Sequence, residues 1–263
     1  MTAKNPPIVL LTDFGLKDAF VGILKGVILS INPFGNIIDL SHGVRPQDLL
    51  HGGFLLSTAM GYFPSDTIFC VVVDPGVGGS RRPILIRTKN YFLVGPDNGV
   101  LWQAARKNGI EVVLHLNRTS YFLSPLSSTF HGRDIFAPVA AHLSCGLAME
   151  KLGEPVYDPI PLDLPIPEKK GDRLILTILD IDIYGNITLN ISLDELRSFV
   201  GNQFWLEAGS ARISKIYETY AQAEDRQPFL LAASSGFLEI AVKKGNAAKQ
   251  LGIGHWNQLV LNR

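Results

Sequence analysis

The chain has 263 residues, of which 46% are hydrophobic, and its 24 basic and 24 acidic side chains give a formal net charge of +0. This length allows one large domain or two smaller ones with a sizeable core. The balanced charge argues against a nucleic-acid partner held by a broad basic surface. Because no apolar run approaches the ~20 residues that span a bilayer, and the N-terminal stretch has no signal-peptide cleavage site, we expect a cytoplasmic protein with no membrane partner.

Residues 1–152 alternate between strand and helix patterns. Continuous apolar runs rich in β-branched residues predict buried parallel strands, and apolar residues at helical spacing predict the helices between them. The strand patterns cover residues 7–12, 35–41, 67–74, 82–88, 91–99 and 111–116, and the helix patterns cover 17–31, 47–63, 99–109 and 133–146. The alternation predicts an α/β domain with a layered, largely parallel sheet and flanking helices.

Residues 153–172 differ in character, because prolines at positions 155, 159, 161, 165 and 167 disfavour regular structure and favour an extended linker. Beyond this linker, residues 173–263 show short strand patterns between turn residues. One helix begins at Ser192, where Ser192 and Glu195 fit a capping box. We therefore predict a smaller, all-β, barrel-like domain at the C-terminal end.

Polar, glycine-containing segments follow several predicted strands of the first domain. Their candidate residues are Asp13 and Asp18 after the first strand, Asp74 at the end of the strand pattern 67–74 and Arg81 after it, and Ser128, Thr129, His131 and Gly132 before the last helix. Ligands of open parallel sheets bind outside the carboxyl ends of the strands, so we expect one shared site. Taken singly, these residues also fit structural roles, such as an Asx-turn at Asp13 or helix capping at Asp18 and Ser128.

The second domain carries one comparable cluster. A turn between two strands holds Asp182, Tyr184 and Asn186, and another turn holds Ser234, Ser235 and Glu239. Such residues are also typical of ordinary hairpin turns, so composition alone leaves both interpretations open.

Metal-ligand and redox motifs are sparse. No HxH, HExxH or His-x-Asp pair is present, so we predict no metal site, although a metal-dependent phosphoesterase remains a minor alternative. Cys70 and Cys145 lie far apart and predict two buried free thiols rather than a disulfide or a zinc site. The sequence assigns His42, His51 and His115 only structural or surface roles.

Six segments carry a family resemblance: TDFGLKDAFVGILKG, VVVDPGVGGSRR, GPDNGVL, STFHGRDIFAP, IDIYGNITLNI and SSGFLEIAVKKGNAA. In this order they resemble the adenosine-forming S-adenosyl-L-methionine (SAM) hydrolases, also called SAM hydroxide adenosyltransferases, which are relatives of the fluorinases and chlorinases. The resemblance runs through nearly the whole chain. It implies two domains, a homotrimer with SAM at the subunit interfaces, hydrolysis of SAM to adenosine and L-methionine, and no cofactor.

The resemblance also implies roles for single residues. The residues that match the water-activating set and its surrounding pocket are Asp74, Arg81 and His131, with Gly132, Ser128 and Thr129. The implied substrate contacts are Asp18 with the ribose and Asp13 beside it, Asp182 with the methionine ammonium, Asn186 and Tyr184 with the adenine, Ser234 and Ser235 with the carboxylate, and Glu239 nearby.

Two of these positions differ from the fluorinase pattern, which has Ser where this chain has Gly132 and Tyr where it has Asp74. A carboxylate near the nucleophile repels a halide and accepts a hydrogen bond from water, so the sequence favours water as the nucleophile. The alternatives are a SAM- or adenosine-binding sensor with negligible turnover and a SAM-dependent halogenase. Whether Asp74 or His131 takes the proton is left open by the sequence.

Overall fold

The computed structural model describes residues 5–200 and 203–263, so the first four residues of the N-terminal stretch considered above lie outside the described part. The chain forms two compact units, Met1–Asp163 (unit 1) and Leu164–Arg263 (unit 2). The division lies inside the Pro-rich segment 153–172. Among the described residues, no helix combines the length and the apolar composition that crossing a membrane requires.

Unit 1 contains a mixed sheet of seven strands. The strands are β1 (Ile8–Thr12), β2 (Ile37–Ser41), β3 (Ile68–Val72), β4 (Pro83–Thr88), β5 (Phe92–Pro96), β6 (Ile110–Leu116) and β7 (Gly153–Pro155). In the order β2-β1-β3-β5-β4-β6-β7, the first four pair in parallel and the remaining pairs are antiparallel. The predicted α/β class is confirmed.

Helices cover both faces of this sheet. They are α1 (Phe20–Ile31), α2 (Leu49–Ala59), α3 (Trp102–Asn108) and α4 (Ala137–Ser144), the last preceded by a π-helical turn, Gly132–Phe136. Along β1, Ile8 and Leu10 belong to the core with α1 and α4, whereas Val9 and Leu11 belong to the core with α2 and α3. All four side chains are fully buried, which explains why β1 is a continuous apolar run in the sequence.

Unit 2 is an antiparallel, nearly closed barrel. Its strands are β8 (Glu168–Lys170), β9 (Arg173–Ile181), β10 (Ile187–Leu189), β11 (Trp205–Ala208), β12 (Ala211–Ile213), β13 (Pro228–Ala232), β14 (Leu238–Val242) and β15 (Gln258–Asn262), and its helices are α5 (Leu193–Phe199) and α6 (Ala247–Leu251). The order is β12-β11-β15-β9-β10-β14-β13, with β8 beside β9. After β12, Tyr217 donates to and Lys215 accepts from the main chain of Leu230 in β13, both at 2.9 Å. The barrel-like prediction is confirmed, and so is the Ser192–Glu195 capping box.

Two details differ from the expectations. The ends of the Pro-rich segment form the short strands β7 and β8, and Pro155 is tolerated because β7 is an edge strand. Cys145 is exposed rather than buried, since it follows the last turn of α4. Both cysteines are free as predicted, and burial raises the pKa of the Cys70 thiol to about 12.

Candidate active site

A cleft of about 640 Å³ opens at the carboxyl ends of β1 and β3 in unit 1. Its walls come mainly from the loops that follow these strands and from the π-helical turn before α4. The lining includes Asp13, Phe14, Phe20, Gln47, Val72, Asp74, Thr129, Phe130, His131, Gly132 and Arg133. The polar segments after β1 and β3 and before α4 therefore share one cleft, because the carboxyl ends of neighbouring parallel strands meet at one edge of the sheet.

Asp74, Arg81 and His131 form one hydrogen-bonded cluster at this cleft. Arg81 Nε lies 2.9 Å from Oδ1 and 3.1 Å from Oδ2 of Asp74, and Arg81 Nη2 donates a further short hydrogen bond to Oδ2. The same Nη2 lies 2.7 Å from Nδ1 of His131. Asp74 and His131 line the cleft, and the Arg81 and Asp74 side chains are only 8% and 5% exposed, so the ion pair is shielded from bulk solvent.

The contact with Arg81 fixes which nitrogen of His131 carries the proton. A guanidinium has only donors, so Nδ1 accepts from Arg81 and the proton of the neutral ring lies on Nε2. Burial, followed by the positive charge of Arg81, holds the pKa of His131 below its ordinary value. The ring is therefore neutral at pH 7 and offers an N–H donor to a ligand in the cleft.

The two loops that carry this cluster pack closely against each other. Gly78, whose φ is +75°, lies against the main-chain carbonyl of Ser128 and leaves no room for a Cβ. Asp134 is buried and accepts a hydrogen bond from the main-chain N–H of Ser127 at 2.7 Å. These contacts hold the segment that leads to His131 beside the loop that carries Asp74.

Gly78→Ala should lower the free energy of unfolding through two separate effects. A φ near +75° costs an L-residue roughly 1–2 kcal/mol, and the clash of the new Cβ with the Ser128 carbonyl adds about 1–3 kcal/mol. Gly146→Ala is the matched control, because Gly146 has a φ of +85° and nothing within 4 Å of an added Cβ. Urea unfolding should show the larger loss for Gly78→Ala; equal losses would contradict the close packing of the loops.

Three phenylalanines form an apolar side of the cleft. The ring centroid of Phe14 lies 5.6 Å from that of Phe20 and 5.8 Å from that of Phe130, and the latter two are 5.4 Å apart. None of the three was predicted as a site residue from the sequence. The available clue was their place in the chain, since Phe14 directly follows Asp13 and Phe130 directly precedes His131.

The other residues predicted for this half of the site lie in two environments. Asp13 and Thr129 line the cleft, and Asp13 Oδ2 accepts the main-chain N–H of Gln47 at 2.8 Å. Asp18 and Ser128 are exposed and lie outside the lining. Within the ranges that the structure describes, no group of three or more His, Cys, Asp or Glu side chains is placed to hold a metal ion.

Unit 2 has a cleft of its own, with a volume of about 930 Å³ and several polar side chains in its lining. Its lining includes Asp182, Tyr184, Asn186, Tyr220, Ser234, Glu239 and Lys243, whereas Ser235 lies outside it. Asp182 accepts the main-chain N–H groups of Tyr184 and Asn186 at 2.9 and 2.8 Å and the side-chain amide of Asn186 at 2.9 Å. The predicted turn is thus ordered by the same carboxylate that faces the cleft.

Glu239 is the second carboxyl group of this cleft. It is 7% exposed and accepts a hydrogen bond from the Tyr220 hydroxyl at 2.6 Å. Burial raises the pKa of Glu239, and the nearby charge of Asp182 acts in the same direction. Two neighbouring carboxyl groups favour a cationic ligand group. The sequence pattern did not mark Tyr220 as a site residue, because residues 173–263 show strand patterns, whereas Tyr220–Gln222 folds as a 3₁₀ turn.

Comparison with known proteins adds to this geometry. The sequence matches the SAM hydroxide adenosyltransferase N-terminal domain over residues 8–153 and the corresponding C-terminal domain over residues 176–259. The chain belongs to this family. The (R)-S-adenosyl-L-methionine hydrolase of Methanocaldococcus jannaschii is 36% identical to it, over 96% of this chain and 94% of that relative.

A more distant relative and a solved structure also match over most of the chain. A fluorinase from an Actinoplanes species is 25% identical over 90% of this chain and 91% of its own length. The crystal structure of an uncharacterized conserved protein from Thermotoga maritima matches with a TM-score of 0.90 at 35% identity, covering 97% of this chain and 100% of that one. The family resemblance predicted from the sequence is confirmed.

Proposed function

We propose that this chain hydrolyses SAM to adenosine and L-methionine, by attack of a water molecule or hydroxide on C5′. The Asp74–Arg81–His131 cluster at the cleft carries this proposal, because binding SAM without turnover requires no group that orients and deprotonates water. The name of the relatives, (R)-S-adenosyl-L-methionine hydrolase, supports the (R) epimer at sulfur as the substrate.

In the proposed reaction, His131 and Asp74 have different tasks. His131 donates its Nε2–H to the attacking oxygen, and Asp74, whose oxygens keep free lone pairs, accepts the proton. The positive charge of Arg81 beside the cleft favours hydroxide over water. Methionine leaves as a neutral thioether and needs no acid, so the main task is to align one water with the C5′–S bond.

The phenylalanine cluster supports the same chemistry. Hydroxide and sulfonium neutralise each other as they react, so a site that excludes bulk water lowers the barrier. The faces of aromatic rings attract cations by ~0.5–2 kcal/mol. We therefore assign the sulfonium to the side of the cleft formed by Phe14, Phe20 and Phe130.

The remaining substrate contacts are assigned from the family resemblance and from the residues that line the two clefts. The proposed contacts are Asp18 and Asp13 for the ribose and its loop, Asp182 and Glu239 for the ammonium, Asn186 and Tyr184 for the adenine, and Ser234 and Ser235 for the carboxylate. Thr129 and Ser128 flank the nucleophile pocket. Glu239 joins Asp182 because two neighbouring carboxyl groups suit an ammonium.

Two features favour water over a halide as the nucleophile. Asp74 places negative charge beside the pocket, where it repels an anion. A Cβ at Gly132 would lie 3.2 Å from Val72 and 3.4 Å from Phe130, so the backbone packs closely there and presents no side-chain donor for a halide. A halogenase is therefore disfavoured.

We also propose that the chain forms a homotrimer with SAM bound at its subunit interfaces, as the family resemblance implies. Unit 1 and unit 2 each carry a cleft whose polar side chains supply part of the proposed contacts. Light scattering of the purified protein should give three times the monomer mass. The sequence also predicts a cytoplasmic location and a reaction that needs no cofactor, and both stay predictions.

Incubation of the pure protein with SAM in ¹⁸O-water tests the proposed function. We expect one ¹⁸O atom in the released adenosine, an equal amount of methionine, and faster turnover of the (R) epimer than of the (S) epimer. Unlabelled adenosine or no release of methionine would contradict hydrolysis. Retention of bound SAM or adenosine without turnover would favour the sensor, and a chloride-dependent product would favour the halogenase.

A further inference from the structure

His42 follows β2 and is 5% exposed. Its Nδ1 lies 2.9 Å from Thr12 Oγ1, and its Nε2 lies 3.0 Å from Asp39 Oδ1, although the ring N–H is not aligned well enough for a full hydrogen bond. The other oxygen of Asp39 lies 2.6 Å from Lys25 Nζ in α1. Because Nε2 faces the Asp39 carboxylate, we assign the ring proton to Nε2, so that Nδ1 accepts the hydrogen bond of the Thr12 hydroxyl.

Thr12 connects this histidine to the wall of the unit 1 cleft. The Thr12 side chain is fully buried, and its Oγ1 accepts the main-chain N–H of Phe14 at 3.2 Å. Gly15 N donates to the His42 carbonyl at 2.8 Å, and Val44 N donates to the Thr12 carbonyl at 3.3 Å. The chain between these bonds is the start of the loop after β1, which places Asp13 and Phe14 in the cleft.

We propose that His42 is a positioning residue, which fixes the cleft wall of Asp13 and Phe14 through the Thr12 hydroxyl. His42 does not line that cleft, so it acts through Thr12 and not on a reacting atom. Its effect on the reaction rests on the proposed hydrolysis of SAM, whereas its effect on the loop does not. The hydrogen bonds run in one direction, from the Phe14 amide to Thr12 and from Thr12 to His42.

Two matched pairs of variants separate this role from simple packing. His42→Leu removes the acceptor at Nδ1, whereas His42→Asn keeps an acceptor near that position. Thr12→Val removes the hydroxyl with little change of shape, whereas Thr12→Ser keeps it. We expect His42→Leu and Thr12→Val each to raise KM for SAM by about fivefold to tenfold, the loss of one hydrogen bond, with kcat changed less than about threefold. The double variant should be no worse than either single one, because both break the same connection.

Hydrogen exchange of the Phe14 amide is the readout that does not depend on activity. It should become faster in His42→Leu and Thr12→Val and stay near wild type in His42→Asn and Thr12→Ser. Unchanged exchange in the first two variants overturns the proposal, and so does faster exchange without a rise in KM. If the wild-type chain does not split SAM, the proposed function fails, and amide exchange alone then decides whether His42 positions the wall.

Discussion

Asp74→Ala is expected to lower the free energy of unfolding by about 3–5 kcal/mol and to abolish the release of adenosine from SAM. The stability is lost because Arg81 stays charged, buried and without its bidentate partner. The activity is lost because the proposed proton acceptor is gone, and general base catalysis typically contributes about 10²–10⁴-fold. Urea unfolding measures the first effect, and adenosine release at saturating SAM measures the second.

Two further variants separate the two losses. The double variant Asp74→Leu/Arg81→Met leaves no unpaired buried charge at these two positions, so much of the stability should return. The enzyme should stay inactive. Asp97→Ala serves as a control elsewhere in unit 1, because Asp97 is 2% exposed and pairs with Arg82 at 2.6 Å. It should lower stability and leave turnover in place. Restored turnover in the double variant would remove Asp74 from the reaction.

His131→Ala is expected to lower kcat by about 10²–10³-fold, as is typical when a preorganised donor in an active site is lost. His131→Gln keeps an N–H donor near the Nε2 position, whereas His131→Asn keeps only an acceptor for Arg81. Because the proposed task of His131 is donation from Nε2, His131→Gln should retain more activity than His131→Asn. Equal inactivity of both would indicate that His131 accepts the proton instead.

The pH dependence of kcat/KM tests the same assignment. In the proposed reaction the neutral ring of His131 is the active form, and burial and Arg81 hold its pKa below the ordinary value of about 6.5. Activity should therefore be higher at pH 8 than at acidic pH, and the midpoint of its acid-side fall should lie below pH 6.5, as His131 gains a proton. The free energy of unfolding should also decrease as the pH falls, because the unfolded chain takes up this proton at a higher pH than the folded protein does. A fall in kcat/KM with its midpoint above pH 7 would contradict a neutral His131.

The sequence predicted the features of the fold that depend on neighbouring residues or on burial of a strand on both faces. Ile8 to Leu11 are buried on both faces of the sheet, so β1 is a continuous apolar run that no surface element would carry. The Ser192–Glu195 box depends on a spacing of three residues and on no distant partner. The convergence of Asp74 and His131 followed from one topological rule, the shared carboxyl edge of parallel strands.

Features that depend on distant side chains could not be predicted. Tyr220 binds Glu239 across 19 residues, and His42 binds Thr12 across 30, so no local pattern predicted either pair. The π-helical turn at Gly132–Phe136 and the exposure of Cys145 also depend on packing against neighbouring elements.

The sequence by itself determined the α/β and barrel-like architectures, the family and the residue types of the Asp74–Arg81–His131 cluster. Hydrophobic periodicity and contiguous motifs are properties of the chain alone. Only the tertiary structure decided that Arg81 donates to both Asp74 and His131 and so fixes the proton of His131 on Nε2. The physical reason is that a histidine's tautomer depends on which partner each ring nitrogen meets, and these partners come from loops 50 residues apart.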